Sequence, residues 1–238
     1  MTDEAPADPT DPAHVDVWWA RRSAVSELDW SVMSDLERER VQRRSPGVRE
    51  RSVFARVLLR LALAERFGRE PESFEVDWSR GPAVRDPGST WLSLSHTGDL
   101  VAVCISDGGP IGLDLEVVDR DDDLDDTFRA GAFDHRERAM IAGFDGLGDL
   151  AALQLWTAKE AVLKASGDGL TRSPLQLHIA GIPDHPRLVR FEGRDQLVSR
   201  TVLRPLDLAG GAYVGSVAVL TTAPLALTVR DAAGLFAA

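Results

Sequence analysis

Two long segments with helical spacing, each followed by short alternating runs, constrain the fold of this chain more than any other feature. Over 49–67, Val53, Val57, Leu61 and Ala64 recur at three- and four-residue intervals, which predicts an amphipathic helix with that stripe buried. Gly68 stands where such a helix stops. Over 155–169 (LWTAKEAVLKASGDG), Leu155, Ala158, Val162 and Ala165 repeat the pattern, and Gly167 and Gly169 supply the stop. Strands are predicted after the first helix at 74–78, 91–96, 100–106 and 111–118, the middle pair joined through Thr97, Gly98 and Asp99. After the second they are predicted at 175–179, 188–191, 196–203 and 212–220. Residues 15–19 alternate weakly and suit a further strand. Short helices are expected over 34–44, where Ser34 and Glu37 have capping-box spacing, and over 133–141. Helices then strands, twice over, predict an α+β fold of two similar halves related by pseudo-two-fold symmetry. The expected division is a disordered tail over 1–13, one half over 14–118 and the other over 119–238.

Composition narrows the partners. A net charge of −11 argues against nucleic acid, which requires a basic surface. The charge is uneven, however: ten arginines fall between Arg38 and Arg69 against three acidic residues. A basic face on an acidic protein suits a small polyanion, although a solvated helix face would look the same. The single cysteine, Cys104, excludes an internal disulfide and reads as a small core residue. No apolar run suits a signal peptide or a bilayer span, so a cytoplasmic protein without a membrane partner is expected.

The chemistry-bearing residues lie on two elements. In the run IGLDLEVV at 111–118, Ile111, Leu113, Leu115 and Val117 face one way and Gly112, Asp114 and Glu116 the other. Two carboxylates on one face of an apolar strand repel each other unless a cation lies between them, and a few carboxylates plus phosphate oxygens are the habit of Mg²⁺. The bland alternative is a strand with its polar face in water. On the helix, Trp156, Glu160 and Lys164 are spaced four apart beside the buried stripe. Alone they describe a half-buried helix with a surface ion pair. Together with the strand they offer a third carboxylate and an ammonium, the parts of a phosphoryl-type transfer site. Ser95 and His96 stand at a strand end and are candidates for phosphate contact; adjacent in sequence, they are not a nucleophile–base pair. The acidic run 119–126 fails as an EF-hand, because Leu124 falls at the glycine position and Ala130 at the glutamate position. A solvated loop is expected there. Neither a Walker-type nor a dinucleotide-binding glycine motif occurs.

These residues carry a family resemblance. LSHTG at 94–98, IGLDLE at 111–116, the F-x-x-x-E of Phe133 and Glu137, and W-x-x-K-E-A-x-x-K at 156–164 occur in the order and approximate spacing found in the 4′-phosphopantetheinyl transferases of the Sfp type. K-x-x-G-x-G-L at 164–170 extends the likeness. The resemblance implies transfer of 4′-phosphopantetheine from coenzyme A to a serine of an apo acyl or peptidyl carrier protein, releasing adenosine 3′,5′-bisphosphate. It implies that Asp114, Glu116 and Glu160 hold Mg²⁺, with Mn²⁺ an alternative. Glu160 would be the general base and Lys164 would contact the phosphates; Ser95, His96, Arg51 and, more weakly, Arg38 would bind coenzyme A. The site would lie in the cleft between the halves, complete in a monomer. The acidic run and the 128–133 segment would meet the carrier, through Leu124 or Phe128 more than through charge. Two departures stand out. The family's usual Gly-Lys-Pro lysine is absent from 80–85, leaving Arg80 and Arg85 as substitutes, and the aspartate before the arginine-bearing helix is missing. Rival readings are a metal-dependent phosphoesterase or pyrophosphatase acting on coenzyme A, and a non-catalytic coenzyme A- or carrier-binding module.

Overall fold

The structure, a computed structural model, describes residues 11–79, 81–86, 88, 90–118 and 126–237. The tail to residue 10, Arg80 and the acidic run over 119–125 with Leu124 lie outside the described residues. In chain order the elements are β1 (Ala13–Arg21), α1 (Asp35–Gln42), α2 (Pro46–Phe67), β2 (Val76–Asp77), β3 (Ala83–Val84), β4 (Trp91–Thr97), β5 (Leu100–Ser106) and β6 (Ile111–Val117). Then follow α3 (Asp126–Ala132), α4 (His135–Ala142), α5 (Gly148–Ala165), β7 (Leu177–Ala180), β8 (Arg187–Phe191), α6 (Asp195–Val198), β9 (Thr201–Leu208), β10 (Tyr213–Leu220) and β11 (Leu225–Asp231). The mixed α+β class is as expected.

Local chemistry sets most boundaries. The Ser34 hydroxyl accepts from the Glu37 amide while the Glu37 carboxylate accepts from the Ser34 amide, the reciprocal box that starts α1. Pro46 takes the first position of α2, where its missing N–H costs nothing, so the helix begins earlier than its apolar stripe. Gly68 ends it at φ +63° and Gly98, at φ +54°, makes the β4–β5 turn. The strand expected over 196–203 is instead the single helical turn α6 followed by β9. Thr201 Oγ1 and the Arg200 amide both bond back to the Leu197 carbonyl, which turns the chain before β9 starts. Pro205 is tolerated in β9 because that strand lies at a sheet edge.

Two sheets stack between two long helices. One sheet has the order β11-β1-β5-β4, with β1 antiparallel to β5 and parallel to β11; the other has the order β6-β10-β9, all antiparallel. Phe54, Leu58, Leu59 and Ala62 of α2 pack on Trp18, Val101, Val103 and Ile105. The opposite face of that sheet, with Val17, Ala102 and Cys104, meets Leu113, Leu115, Val217 and Val219 of the other sheet. Leu155, Ala158 and Val162 of α5 cover Leu203, Ala218 and Leu220 on its far side. Burying side chains of this size contributes about 1.5–3 kcal/mol each. Helix α5 lies directly on β6: a Cβ at Gly112 would stand 1.9 Å from the Ala161 carbonyl oxygen. That close approach brings the helix to the strand carboxylates. Among the described residues no helix is long and apolar enough to cross a membrane.

Candidate active site

The strand period puts Asp114 and Glu116 on the face of β6 that α5 covers, and one-turn spacing along α5 aims Trp156, Glu160 and Lys164 at them. The Lys164 ammonium donates to Asp114 Oδ1 at 2.7 Å and to the Leu113 carbonyl at 2.8 Å. Ser95 Oγ donates to the same Asp114 oxygen at 3.0 Å. Glu116 accepts from Trp156 Nε1 at 3.2 Å and from Thr97 Oγ1 at 3.3 Å. Glu160 is 6% exposed and, among the described residues, makes no hydrogen bond.

Burial raises the Glu160 pKa above its ordinary value, and Asp114 and Glu116 raise it further against the opposing pull of Lys164. Glu116 is raised by burial and by Asp114, against the hydrogen bonds from Trp156 and Thr97. Carboxylates held where their charge is disfavoured need a proton or a cation, although among the described residues Asp114, Glu116 and Glu160 do not bring three ligand atoms within 4.8 Å of one another. This has a consequence for pH. In the cation-free protein, raised folded pKa values mean that this contribution to stability is full below the ordinary glutamate value of 4.5 and is lost as pH rises through the folded values. A bound cation reverses the preference. The gain in melting temperature on adding MgCl₂ is therefore expected to be larger at about pH 8 than at about pH 5. Equal shifts at both, in thermal melts followed by circular dichroism, would contradict this cation assignment.

A different trio, Asp134, Glu137 and His178, brings its ligand atoms within 4.8 Å of one another. Its oxygens are already committed. Glu137 accepts from the Asp134 amide (3.0 Å), the Ile179 amide (3.1 Å) and the Lys159 ammonium (2.5 Å). Asp134 Oδ1 caps α4 through the Arg136 and Glu137 amides, and Asp134 Oδ2 meets His178 Nδ1 at 3.1 Å. Lys159 completes its own shell on the Ala132 and Pro174 carbonyls. The trio is a helix cap around a buried ion pair, its oxygens already bonded to backbone amides and to Lys159.

A cleft of about 500 Å³ opens beside the carboxylates. Arg51, His96 and Lys164 line it, with Gly81, Pro82, Gly167 and Gly169. Burial lowers the His96 pKa, and Arg51 and Lys164 lower it further, so its ring sits in a cationic field. Ser95 does not line the cleft; its hydroxyl orients Asp114. Arg38 stands elsewhere. It is absent from the lining, and its guanidinium is spent on the Trp30, Ser31 and Met33 carbonyls and on Asp35. Arg85 also stands outside, 3.7 Å from Glu75. The lining instead includes Arg44, Arg56 and Trp78, which sequence reasoning did not single out. The arginine excess over 38–69 was the signal for the first two.

Crowded carboxylates facing a lysine, beside a basic cleft, have the chemistry to receive a phosphate-bearing ligand. The motif resemblance is borne out by comparison: residues 110–217, which hold Asp114, Glu116, Glu160 and Lys164, match the 4′-phosphopantetheinyl transferase superfamily. The chain is 36% identical over 123 residues to 4′-phosphopantetheinyl transferase AcpT of Salmonella typhimurium, covering 51% of this chain and 61% of that protein. It is 31% identical over 147 residues to 4′-phosphopantetheinyl transferase HetI of Nostoc, covering 59% and 61%. It is 28% identical over 123 residues to 4′-phosphopantetheinyl transferase psf-1 of Bacillus pumilus, covering 51% and 52%.

Proposed function

We propose that this chain transfers the 4′-phosphopantetheine group of coenzyme A to a serine hydroxyl of an apo acyl or peptidyl carrier protein, with adenosine 3′,5′-bisphosphate as the leaving group. The observation that carries the reading is the set Asp114, Glu116, Glu160 and Lys164 on two packed elements at the edge of a cleft with three lining arginines. The serine oxygen forms a bond to the phosphorus next to the pantetheine arm as the bond to the nucleotide phosphate breaks. Glu160, raised in pKa and without a hydrogen-bond partner among the described residues, takes the serine proton. Lys164, anchored on Asp114 and the Leu113 carbonyl, stabilises charge on the phosphates, and His96 and Arg51 hold them from the cleft side. Asp114, Glu116 and Glu160 would hold Mg²⁺ or Mn²⁺, which when bound neutralises phosphate charge. The residues named sit within one chain, which supports a monomer.

The reading as two related halves is supported by a recurrence. The strand order β1-β5-β4 is matched by β6-β10-β9. Glu37, in the capping box of α1, pairs with buried Arg60 of α2, which donates to the Pro71 carbonyl. Glu137, in the capping box of α4, pairs with buried Lys159 of α5, which donates to the Pro174 carbonyl. In this reading β6 opens the second half, so the division falls before Ile111 rather than after Val118.

The test is intact-mass spectrometry of one acyl and one peptidyl apo carrier, each incubated with the protein, coenzyme A and MgCl₂. A chelator-sensitive gain of one phosphopantetheine group on either is expected. Coenzyme A cleaved with neither mass changed would replace the transferase reading by a hydrolase. Coenzyme A bound but intact would leave a binding module.

A further inference from the structure

Part of the cleft wall is backbone. Helix α5 ends at Ala165, the chain continues through Ser166, Gly167, Asp168 and Gly169, and the two glycines line the cleft. Their φ angles are +75° and +52°, a conformation that favours glycine. At neither would a Cβ meet another atom within 4 Å. Two left-handed glycines around one residue leave a loop much conformational freedom, and no neighbour packs where their side chains would stand. Something else must hold it.

The residue between the glycines does so. Asp168 is not in the cleft lining, and its side chain is 13% exposed. Its Oδ1 accepts from Arg194 Nη2 at 3.0 Å, and its Oδ2 accepts from Ser166 Oγ at 2.9 Å, with Arg172 Nε 3.5 Å away. Its carbonyl accepts from the Thr171 amide at 3.2 Å and from Thr171 Oγ1 at 2.5 Å. Burial raises the Asp168 pKa, but the bonds from Arg194 and Ser166 and the charges of both arginines outweigh it and hold the carboxyl below its ordinary value. The arginines are themselves tied to the turn between β8 and α6. The Arg194 amide donates to the Phe191 carbonyl at 2.9 Å, and Arg172 Nη1 donates to the Glu192 carbonyl at 2.9 Å. Arg172 Cζ also lies 5.3 Å from the ring centroid of Phe191, which is fully buried.

Ion pairs near a surface contribute little to global stability. Two arginines anchored on a rigid turn and closing on one carboxylate do something more local: they fix the course of the loop. Because the loop follows directly on the turn of α5 that carries Lys164, its course sets the cleft wall beside that ammonium. We propose that Asp168 is a positioning residue of the cleft, which, held by Arg194 and Arg172, fixes the backbone of Gly167 and Gly169 in the shape that receives the ligand. Binding then has nothing to order at this wall. The inference rests on the transferase reading for its ligand, coenzyme A.

Two measurements on the full chain, without carrier protein, test it. Native-state amide hydrogen exchange reads the loop. In Arg194→Gln the Thr171 amide is expected to exchange about tenfold faster, while the Leu163 amide within α5 keeps its rate. Titration calorimetry reads the ligand. Coenzyme A is expected to bind about 5–30-fold more weakly to Arg194→Gln and to Asp168→Asn, the effect of ordering one backbone residue on binding. Arg194→Lys should recover part of that loss. In transfer assays the loss should fall on the coenzyme A KM, with kcat retained. Arg190→Gln, which breaks an exposed pair with Glu192 on the same turn, is the control and should match the wild type in exchange and affinity. Melting temperatures establish that each variant is folded. Wild-type affinity in folded Arg194→Gln and Asp168→Asn would overturn the assignment, even with faster exchange, because the hold would then be structural only. Failure of the transferase reading looks different: the wild type itself would not bind coenzyme A, and exchange at Thr171 would then decide whether Asp168 holds the loop.

Discussion

Replacing Glu160 with glutamine is expected to lower phosphopantetheine transfer by about 10²–10⁴-fold while coenzyme A still binds. Glutamine keeps the shape of the side chain, so the packing of α5 against β6 is preserved. It cannot take up a proton, and it weakens the donor set shared with Asp114 and Glu116. Two readouts separate these losses. The pH profile of the wild type should have an ascending limb that reports loss of the proton from Glu160. In the variant that limb should vanish even at saturating MgCl₂. A variant whose activity returns when MgCl₂ is raised would show Glu160 to be a cation ligand only. Unchanged turnover would remove it from the site altogether.

Residues read from short-range periodicity are the ones the structure brings together. Period two on β6 and one-turn steps on α5 place Asp114, Glu116, Glu160 and Lys164 without reference to the rest of the chain, and Gly112 supplies the close approach. What was not legible depends on long-range partners. Strand β11 was obscure because it pairs in parallel with β1, Leu225 opposite Ala13. Arg38 and Arg56 look alike in a basic helical stretch, yet one folds back on its own loop and the other faces the cleft. The difference is set by Trp78, whose ring the Arg56 guanidinium stacks on, and by Glu37, which holds that ring from far away in sequence. Lys159 stands between the motif's tryptophan and its second lysine, and only the fold shows that its partner is the capping glutamate of α4.

That partner makes Lys159 the site of the largest expected stability effect. Lys159 and Glu137 are both 0% exposed, and burial lowers the lysine pKa while Glu137 raises it. Lys159→Met leaves a buried carboxylate facing the thioether and frees the Ala132 and Pro174 carbonyls. Removing one partner of such a pair costs about 3–5 kcal/mol. For a chain of this size that is a fall in melting temperature of about 10 °C. Glu137→Leu added to Lys159→Met should recover part of the loss, because the stranded charge is gone even though the Asp134 and Ile179 amides lose their acceptor. Neither residue lines the cleft, so coenzyme A affinity per folded molecule should be unchanged. A single variant that melts with the wild type would mean that water reaches Glu137. A double variant no more stable than the single would place the cost in the lost capping contacts rather than in the unpaired charge.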